Sequence, residues 1–363
     1  MQVNAYDHLM TETSNIRPGE ELNIQNLADH LRSQLPEING RIEVSQFPTG
    51  SSNLTYLIKI GDEEYVLRRP PFGNQVKTAH DMNREFQVLS KLSQVYPPAP
   101  KPLLFCGDES VIGSEFYLME RRRGLIIRGQ APQELIDSPE LQKRVCESFI
   151  DNLIELHSLD YGAAGLGELG HPEGYNRRQV EGWSKRYLNA KTDEWPELES
   201  AIVWLDQNTP AESGAALIHN DYKFDNVMLA PGDLTKITAV LDWEMVTIGD
   251  PLMDLGTTLG YWMSGDVPPS MEAMRKMPFN PRVLMENISR RELAERYAEK
   301  SGHDISNLLF YYVFGTFKIA VIAQQIYARY KKGFTKDERF AQFNFFVATL
   351  GKIAAHALEI QKV

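Results

Sequence analysis

Along residues 22–35 (LNIQNLADHLRSQL), Leu22, Leu27, Leu31 and Leu35 fall roughly on one face, so the pattern predicts an amphipathic helix. The pattern then shortens to strand-like runs at 42–47 (IEVSQF), 54–60 (LTYLIKI) and 64–68 (EYVLR). The loop PTGSSN joins the first two runs, and Gly61-Asp62 turns between the second and third. Helical spacing returns at 80–94 and stops at YPPAPKP, because proline lacks the amide donor and clashes with the preceding turn. Two more strands are expected at 102–106 and 115–120, followed by a polar connector, ERRRG, at 120–124. From about residue 139 the pattern is mainly helical, with long helices at 139–158 and 175–190 and several more over 250–363, the last at 336–361. One β island interrupts them, at 226–230 and 237–242. The most apolar stretch, Leu308 to Ala323, is broken by Gly315 and Lys318. It reads as a buried helix, since a membrane span needs ~20 predominantly apolar residues.

These elements add up to an α+β chain with a small β-rich lobe, a short hinge and a larger helical lobe, the organisation of a protein kinase-like fold. The expected divisions are an N-terminal lobe over 1–119, a hinge over 120–124 and a helical C-terminal lobe over 125–363. A length of 363 residues agrees with two lobes, because single cores stop growing at ~250–300 residues. The net charge of −11 (38 Lys and Arg against 49 Asp and Glu) argues against generic nucleic-acid binding. Cys106 and Cys146 form no CxxC pair and suggest neither zinc nor a disulfide framework. The first residues show no basic n-region and no apolar h-region, so no signal peptide and a cytoplasmic location are expected.

The segment His219-Asn220-Asp221-Tyr222-Lys223-Phe224-Asp225-Asn226 fits the catalytic-loop pattern H-x-D-x-x-x-x-N. In that pattern the Asp accepts a substrate hydroxyl proton, and the Asn five residues on binds Mg²⁺ on the other side of the phosphates. Pro231-Gly232-Asp233 supplies turn chemistry for a hairpin. With Ala230 opposite Ile237, Asn226 would face Leu241 and lie beside Asp242, giving two oxygen ligands for a hard cation.

The stretch LIHNDYKFDNVMLAPGDLTKITAVLDWEMVTIGDPLMDLG resembles the aminoglycoside phosphotransferase family, as do TGSSNLTYLIK, EYVLRRPP, NREFQVLSKL and FYLMERRRG. The likeness is greatest to the branch whose kinase-like domain is also found fused to acyl-CoA dehydrogenases. It spans about residues 20–360. The resemblance implies Asp221 as catalytic base or hydroxyl-orienting carboxylate, with Asn226 and Asp242 as Mg²⁺ ligands. It puts Arg68 where most kinases keep a phosphate-binding lysine, paired with Glu85; Arg69 is the competing candidate. It makes Gly50, Ser51, Ser52 and Asn53 the loop over the phosphates. Met119, Glu120, Arg121 and Arg122 would be the hinge whose backbone holds adenine. Lys223, two residues after Asp221, would neutralise the transferring group. His219 reads as a buried loop-shaping residue, and Asp250 and Asp254 as a helix cap and a loop brace.

Asp242 is followed within eight residues by Asp250-Pro251, which opens the next helix, and A-P-E is absent. That leaves no peptide-docking segment, so the expected acceptor is a small hydroxylated molecule. Arg178, Lys185 and Arg186 on the 175–190 helix would favour an anionic one, a hydroxy acid or hydroxyacyl-CoA, if they face the cleft. The alternatives are an aminoglycoside kinase and, from another class, a catalytically inactive nucleotide-binding pseudokinase. The expected cofactors are ATP, with GTP not excluded, and Mg²⁺. The expected partner is a small acceptor with no nucleic acid and no membrane, on a monomer or homodimer.

Overall fold

The computed structural model describes residues 13–37, 40–48, 53–71, 81–128, 130–263, 272–275, 281–335 and 338–363. Helix α1 (Ile24–Gln34) starts where the Asn23 side chain accepts the Asn26 amide, and it buries Leu27, Ala28 and Leu31. Strands β1 (Ile42–Gln46), β2 (Leu54–Ile60), β3 (Glu63–Arg69), β4 (Pro102–Cys106) and β5 (Phe116–Glu120) form one antiparallel sheet in the order β1-β2-β3-β5-β4. Helix α2 (Met82–Leu92), capped by Asp81, lies between β3 and β4 in the chain.

Alternation along β3 divides the sheet into two faces. Leu67 joins the core under α1, with Leu27, Leu31 and Leu118. Val66 turns the other way, toward Tyr117, Met119 and the α2 residues Val88 and Leu89. Arg68 shares the face of Val66, and Arg69 that of Leu67.

The remainder is mostly helical: α3 (Gln133–Ile136), α4 (Pro139–His157), α5 (Tyr175–Ala190) and α6 (Pro196–Gln207). Two β pairs follow. Strand β6 (Ala216–Ile218) pairs with β9 (Thr247–Gly249), and β7 (Val227–Ala230) forms a hairpin with β8 (Asp233–Val240). Helices α7 (Pro251–Tyr261), α8 (Glu272–Arg275), α9 (Arg282–Met285), α10 (Arg290–Ser301), α11 (Leu308–Lys331) and α12 (Phe343–Ile360) complete the chain.

Every residue of α7 is buried, and α7 packs on α11 so closely that side chains are excluded at the contact. A Cβ on Gly256 would run into the Tyr311 carbonyl, and one on Gly315 into the Gly256 carbonyl. Helix α11 is long and apolar enough to cross a membrane, but 78% of its most apolar window is buried inside the protein. That agrees with the buried helix expected from sequence.

The hairpin register departs from expectation. Ile237 faces Leu229, and Ala230 faces Asp233, because the pairing is irregular on both sides of Leu229. The irregularity lies at the turn end, so the far end is unaffected: the Leu241 amide donates to the Asn226 carbonyl at 2.8 Å. Asn226 itself closes a 3-10 turn (Phe224–Asn226) just before β7.

Candidate active site

The His219–Asn226 loop leaves β6 at His219, which is fully buried. Asp254 of α7 accepts the amides of both His219 and Asn220 at 2.7 Å. Burial pushes the Asp254 carboxyl up, but the hydrogen bond and charge of His157 outweigh it and leave it below its ordinary range. The His219 ring meets the Leu241 carbonyl at 2.9 Å and receives the Asp221 amide at 3.2 Å. Burial lowers its pKa, so the imidazole stays neutral and shapes the loop. Asn220 is a non-glycine residue at φ +68°, a conformation that needs surrounding support. Support comes from Lys318, which donates to its carbonyl (2.7 Å) and to Oδ1 (3.0 Å), and from its own donation to the Met245 carbonyl (3.0 Å).

That loop presents an Asp221 carboxylate with three donors on it. Lys223 Nζ (2.7 Å) and Asn226 Nδ2 (3.0 Å) reach Oδ2, and the Tyr261 hydroxyl (2.9 Å) reaches Oδ1. Burial alone would depress the Lys223 pKa; the Asp221 charge outweighs it and raises it. Asn226 Nδ2 also donates to the Asp221 carbonyl at 2.9 Å, so the Oδ1 of this amide is the oxygen left for a ligand.

Asp242 follows β8 at φ +68°. Its Oδ1 accepts from Arg68 at 3.0 Å. Burial raises its pKa, but the Arg68 charge and hydrogen bond, with Lys223 behind them, hold it below the ordinary carboxylate value. Arg68 forks: its other nitrogen is 3.0 Å from Glu85, a residue 2% exposed on α2, and Glu244 lies 3.9 Å away. Arg68 therefore stays charged despite its burial. Arg69 is turned away, donating to the Ile112 carbonyl at 2.8 Å. Of the two candidates, Arg68 is the one on the cleft face.

These groups line one end of a cleft of about 260 Å³ between the sheet and the β7–β8 hairpin. Arg68, Glu85, Lys223, Asn226, Asp242 and Asn53 make it polar at that end. Val66, Met119, Ile126, Met228 and Leu241 supply an apolar slot. Asp221 is not on this wall; it lies behind Lys223 and Asn226. Met119, Glu120, Arg121 and Arg122 all border the slot, although the Glu120 amide is already taken by the Lys101 carbonyl at 2.9 Å. A mutual bridge between Leu125 and Leu229 (2.9 and 2.8 Å) ties this connector to the hairpin. Asn53 donates to Glu244 at 2.8 Å, while Gly50, Ser51 and Ser52 fall outside the described residues.

The three cations expected on α5 do not converge. Arg178 donates to the carbonyls of His171 and Glu173, in the loop that leads into its own helix. Lys185 is exposed two positions from Trp183, which puts it near the opposite side of the helix. Arg186, three positions from Trp183, lies over that indole at 4.6 Å. Lys318 sits 5.6 Å from the same ring. Sequence reading missed Tyr261, Lys318 and Glu244 as parts of this site. Glu244, two residues after Asp242, was near enough in the chain to suspect; the other two are distant.

The model of the phosphotransferase enzyme family matches residues 43–286. Acyl-CoA dehydrogenase family member 11 from Gallus gallus is 36% identical over 329 residues, covering 89% of this chain and 41% of its own length. The Rattus norvegicus protein of that name is 34% identical over 335 residues, covering 90% and 42%. The chain thus spans about two-fifths of the length of these relatives. A solved Ralstonia eutropha structure, provisionally named an aminoglycoside phosphotransferase, superposes with TM-score 0.77 at 28% identity over 94% of this chain and 99% of that one. A thermostable aminoglycoside phosphotransferase mutant, in ternary complex with AMP-PNP and hygromycin B, shares the fold at TM-score 0.55 and 14% identity, over 91% and 96%. With the family model covering more than half of the sequence and these structures sharing its sheet-and-helix arrangement, the chain belongs to the phosphotransferase enzyme family, small-molecule kinases of protein kinase-like fold.

Proposed function

We propose that this chain moves the γ-phosphoryl group of ATP to a hydroxyl of a small anionic acceptor, a hydroxy acid or a hydroxyacyl-CoA. The observation that carries the reading is one arrangement. Lys223, Asn226, Asp242 and Arg68 meet at the polar end of a cleft, with Asp221 held directly behind Lys223 and Asn226, and the other end is an apolar slot bordered by residues 119–122. Residues 120–124 would be the hinge between an N-terminal lobe over 1–119 and a C-terminal lobe over 125–363.

The donor set suits Mg²⁺. Asn226 Oδ1 and the Asp242 carboxylate, both on the cleft wall, would be its hard oxygen ligands. Two protein oxygens are the usual complement for Mg²⁺, which keeps waters and takes phosphate oxygens for the rest. When bound, the ion would supply positive charge that neutralises the phosphates. The protein's own part is positioning and electrostatics. Arg68 and Lys223 would hold charge on the transferring group. Asp221 would orient the acceptor hydroxyl and take its proton as the acceptor O–Pγ bond forms and the bond from Pγ to the leaving ADP breaks. A carboxylate offers about four lone-pair sites, so three donors leave room for that hydroxyl.

The anionic acceptor is supported by Arg186, which has no carboxylate partner among the described residues and shares Trp183 with Lys318. The relatives' name, acyl-CoA dehydrogenase, points toward acyl-CoA-linked acceptors. A polycationic aminoglycoside would meet like charge here. A pseudokinase would be expected to have lost one of Asp221, Asn226 and Asp242, and all are present.

The experiment is mass detection of phosphorylated product after incubation with Mg·ATP. The panel holds hydroxy acids, hydroxyacyl-CoAs, aminoglycosides, sugars and choline. Phosphorylation confined to the acidic acceptors is expected; phosphorylation of the aminoglycosides alone would replace this reading by the resistance-kinase one.

A further inference from the structure

Lys318 lies in the long apolar helix α11, between Phe317 and Ile319, and is only 1% exposed. Burying a cation there is expensive, and the packing of α11 does not call for it. Both of its hydrogen bonds go to a single residue, the Asn220 carbonyl and the Asn220 Oδ1. Asn220 is the left-handed residue immediately before Asp221. Burial drives the Lys318 pKa down to about 8, with Asp254 and Asp221 favouring the proton and Arg186 and Lys223 opposing it. At neutral pH the ammonium is still the major form.

We propose that Lys318 is a positioning residue that reaches from α11 to clamp Asn220, and so holds Asp221 against Lys223 and Asn226. The inference rests on the phosphotransferase reading, in which Asp221 is the base. It also predicts an unusual split between stability and activity. Methionine fits the length and shape of the lysine stem, and replacing a buried charge with an apolar group of similar volume is often neutral or stabilising. Against that stands the loss of a donor to the Asn220 oxygens. Melting temperature should therefore hold or rise while the base loses its register.

The test compares wild type with Lys318→Met. ADP release is measured with Mg·ATP and a hydroxyacyl-CoA mixture as the probe, with hydrolysis to water as the baseline. Expected is a kcat lower by about tenfold to a hundredfold, the scale at which misplaced groups reduce rate. KM for Mg·ATP should stay within about twofold, since the nucleotide cleft is untouched, and Tm should be equal or higher. An unchanged kcat overturns the proposal. So does a kcat loss accompanied by a lower Tm and a raised KM, which would make Lys318 a plain structural residue. A wild type inactive across the whole acceptor panel would instead remove the phosphotransferase reading, and this inference with it.

Discussion

Arg68 holds two carboxylates from two separate nitrogens of one planar fork, where a lysine would have to reach both from a single nitrogen. It reaches Glu85 and Asp242 together, each at 3.0 Å. Arg68→Lys should keep the charge but lose one carboxylate, raising KM for Mg·ATP severalfold in steady-state assays. Arg68→Met should leave a buried Glu85 unpaired and lower unfolding free energy by about 3–5 kcal/mol in denaturant titration. A loss below about 1 kcal/mol would show that the pair is not what anchors α2. Tyr261 is the other residue-scale test. Its hydroxyl sits 2.9 Å from Asp221, and its ring lies under Lys223 at 4.9 Å. Tyr261→Phe keeps the ring and deletes one hydrogen bond to a carboxylate, worth about 1.5–3 kcal/mol. If that bond is stronger in the transition state, kcat should fall roughly tenfold with KM for Mg·ATP held; unchanged kcat would show that Lys223 and Asn226 suffice.

At the scale of elements, the His219–Asn226 loop is only as well placed as the helices behind it. Helix α7 supplies Asp254 to the loop amides and Tyr261 to Asp221, and α11 supplies Lys318. The α7–α11 contact admits no side chain at Gly256 or Gly315. Gly315→Ala must therefore push backbone against backbone. It should destabilise by about 3 kcal/mol or more, the upper range for overpacking, and lower activity with it. Much of this was legible locally. The H-x-D-x-x-x-x-N spacing, the three N-terminal strands, α2 ending before its prolines, and the meeting of Asn226 with Leu241 all rest on near neighbours in the chain. Tyr261 and Lys318 were not legible, because they reach the loop from 40 and 98 positions beyond their partners. A tyrosine ending an apolar helix and a lysine inside another carry no local mark of where they point. Arg178 and Lys185 misled for the related reason that charge on a helix says nothing about which face meets the cleft.

For the whole molecule, buried ionisable groups set how stability varies with pH. Asp254 is held below its ordinary value, so the stability it contributes is present near neutrality and lost as pH falls below about 4 and through its folded pKa. His219 is kept neutral, so acidification through about 6.5 protonates the unfolded chain first and destabilises the fold. Lys318 acts at the other end: between about 8 and 10.5 the folded state releases a proton that the unfolded chain retains, so its contribution rises with pH. Thermal melts should show a lower Tm at pH 5 than at pH 7, and in Lys318→Met a smaller gain from pH 7 to 9 than in wild type. Nucleotide should act on the same scale, because the cleft proposed to hold it lies between the sheet and the β7–β8 hairpin. AMP-PNP at a hundred times its Kd should add about 2.7 kcal/mol. That gain should require Mg²⁺ and shrink in Asp242→Asn; an equal gain without the metal would count against Asn226 and Asp242 as its ligands.

The most direct test of Asp221 as the base is a single-turnover comparison of wild type with Asp221→Asn, using γ-labelled Mg·ATP and the best acceptor, with nucleotide affinity measured separately. Label should pass to the acceptor in wild type. The variant should bind nucleotide with similar affinity and transfer it slower by about two to four orders of magnitude, the usual scale for a general base. Transfer at the wild-type rate in Asp221→Asn would contradict the account.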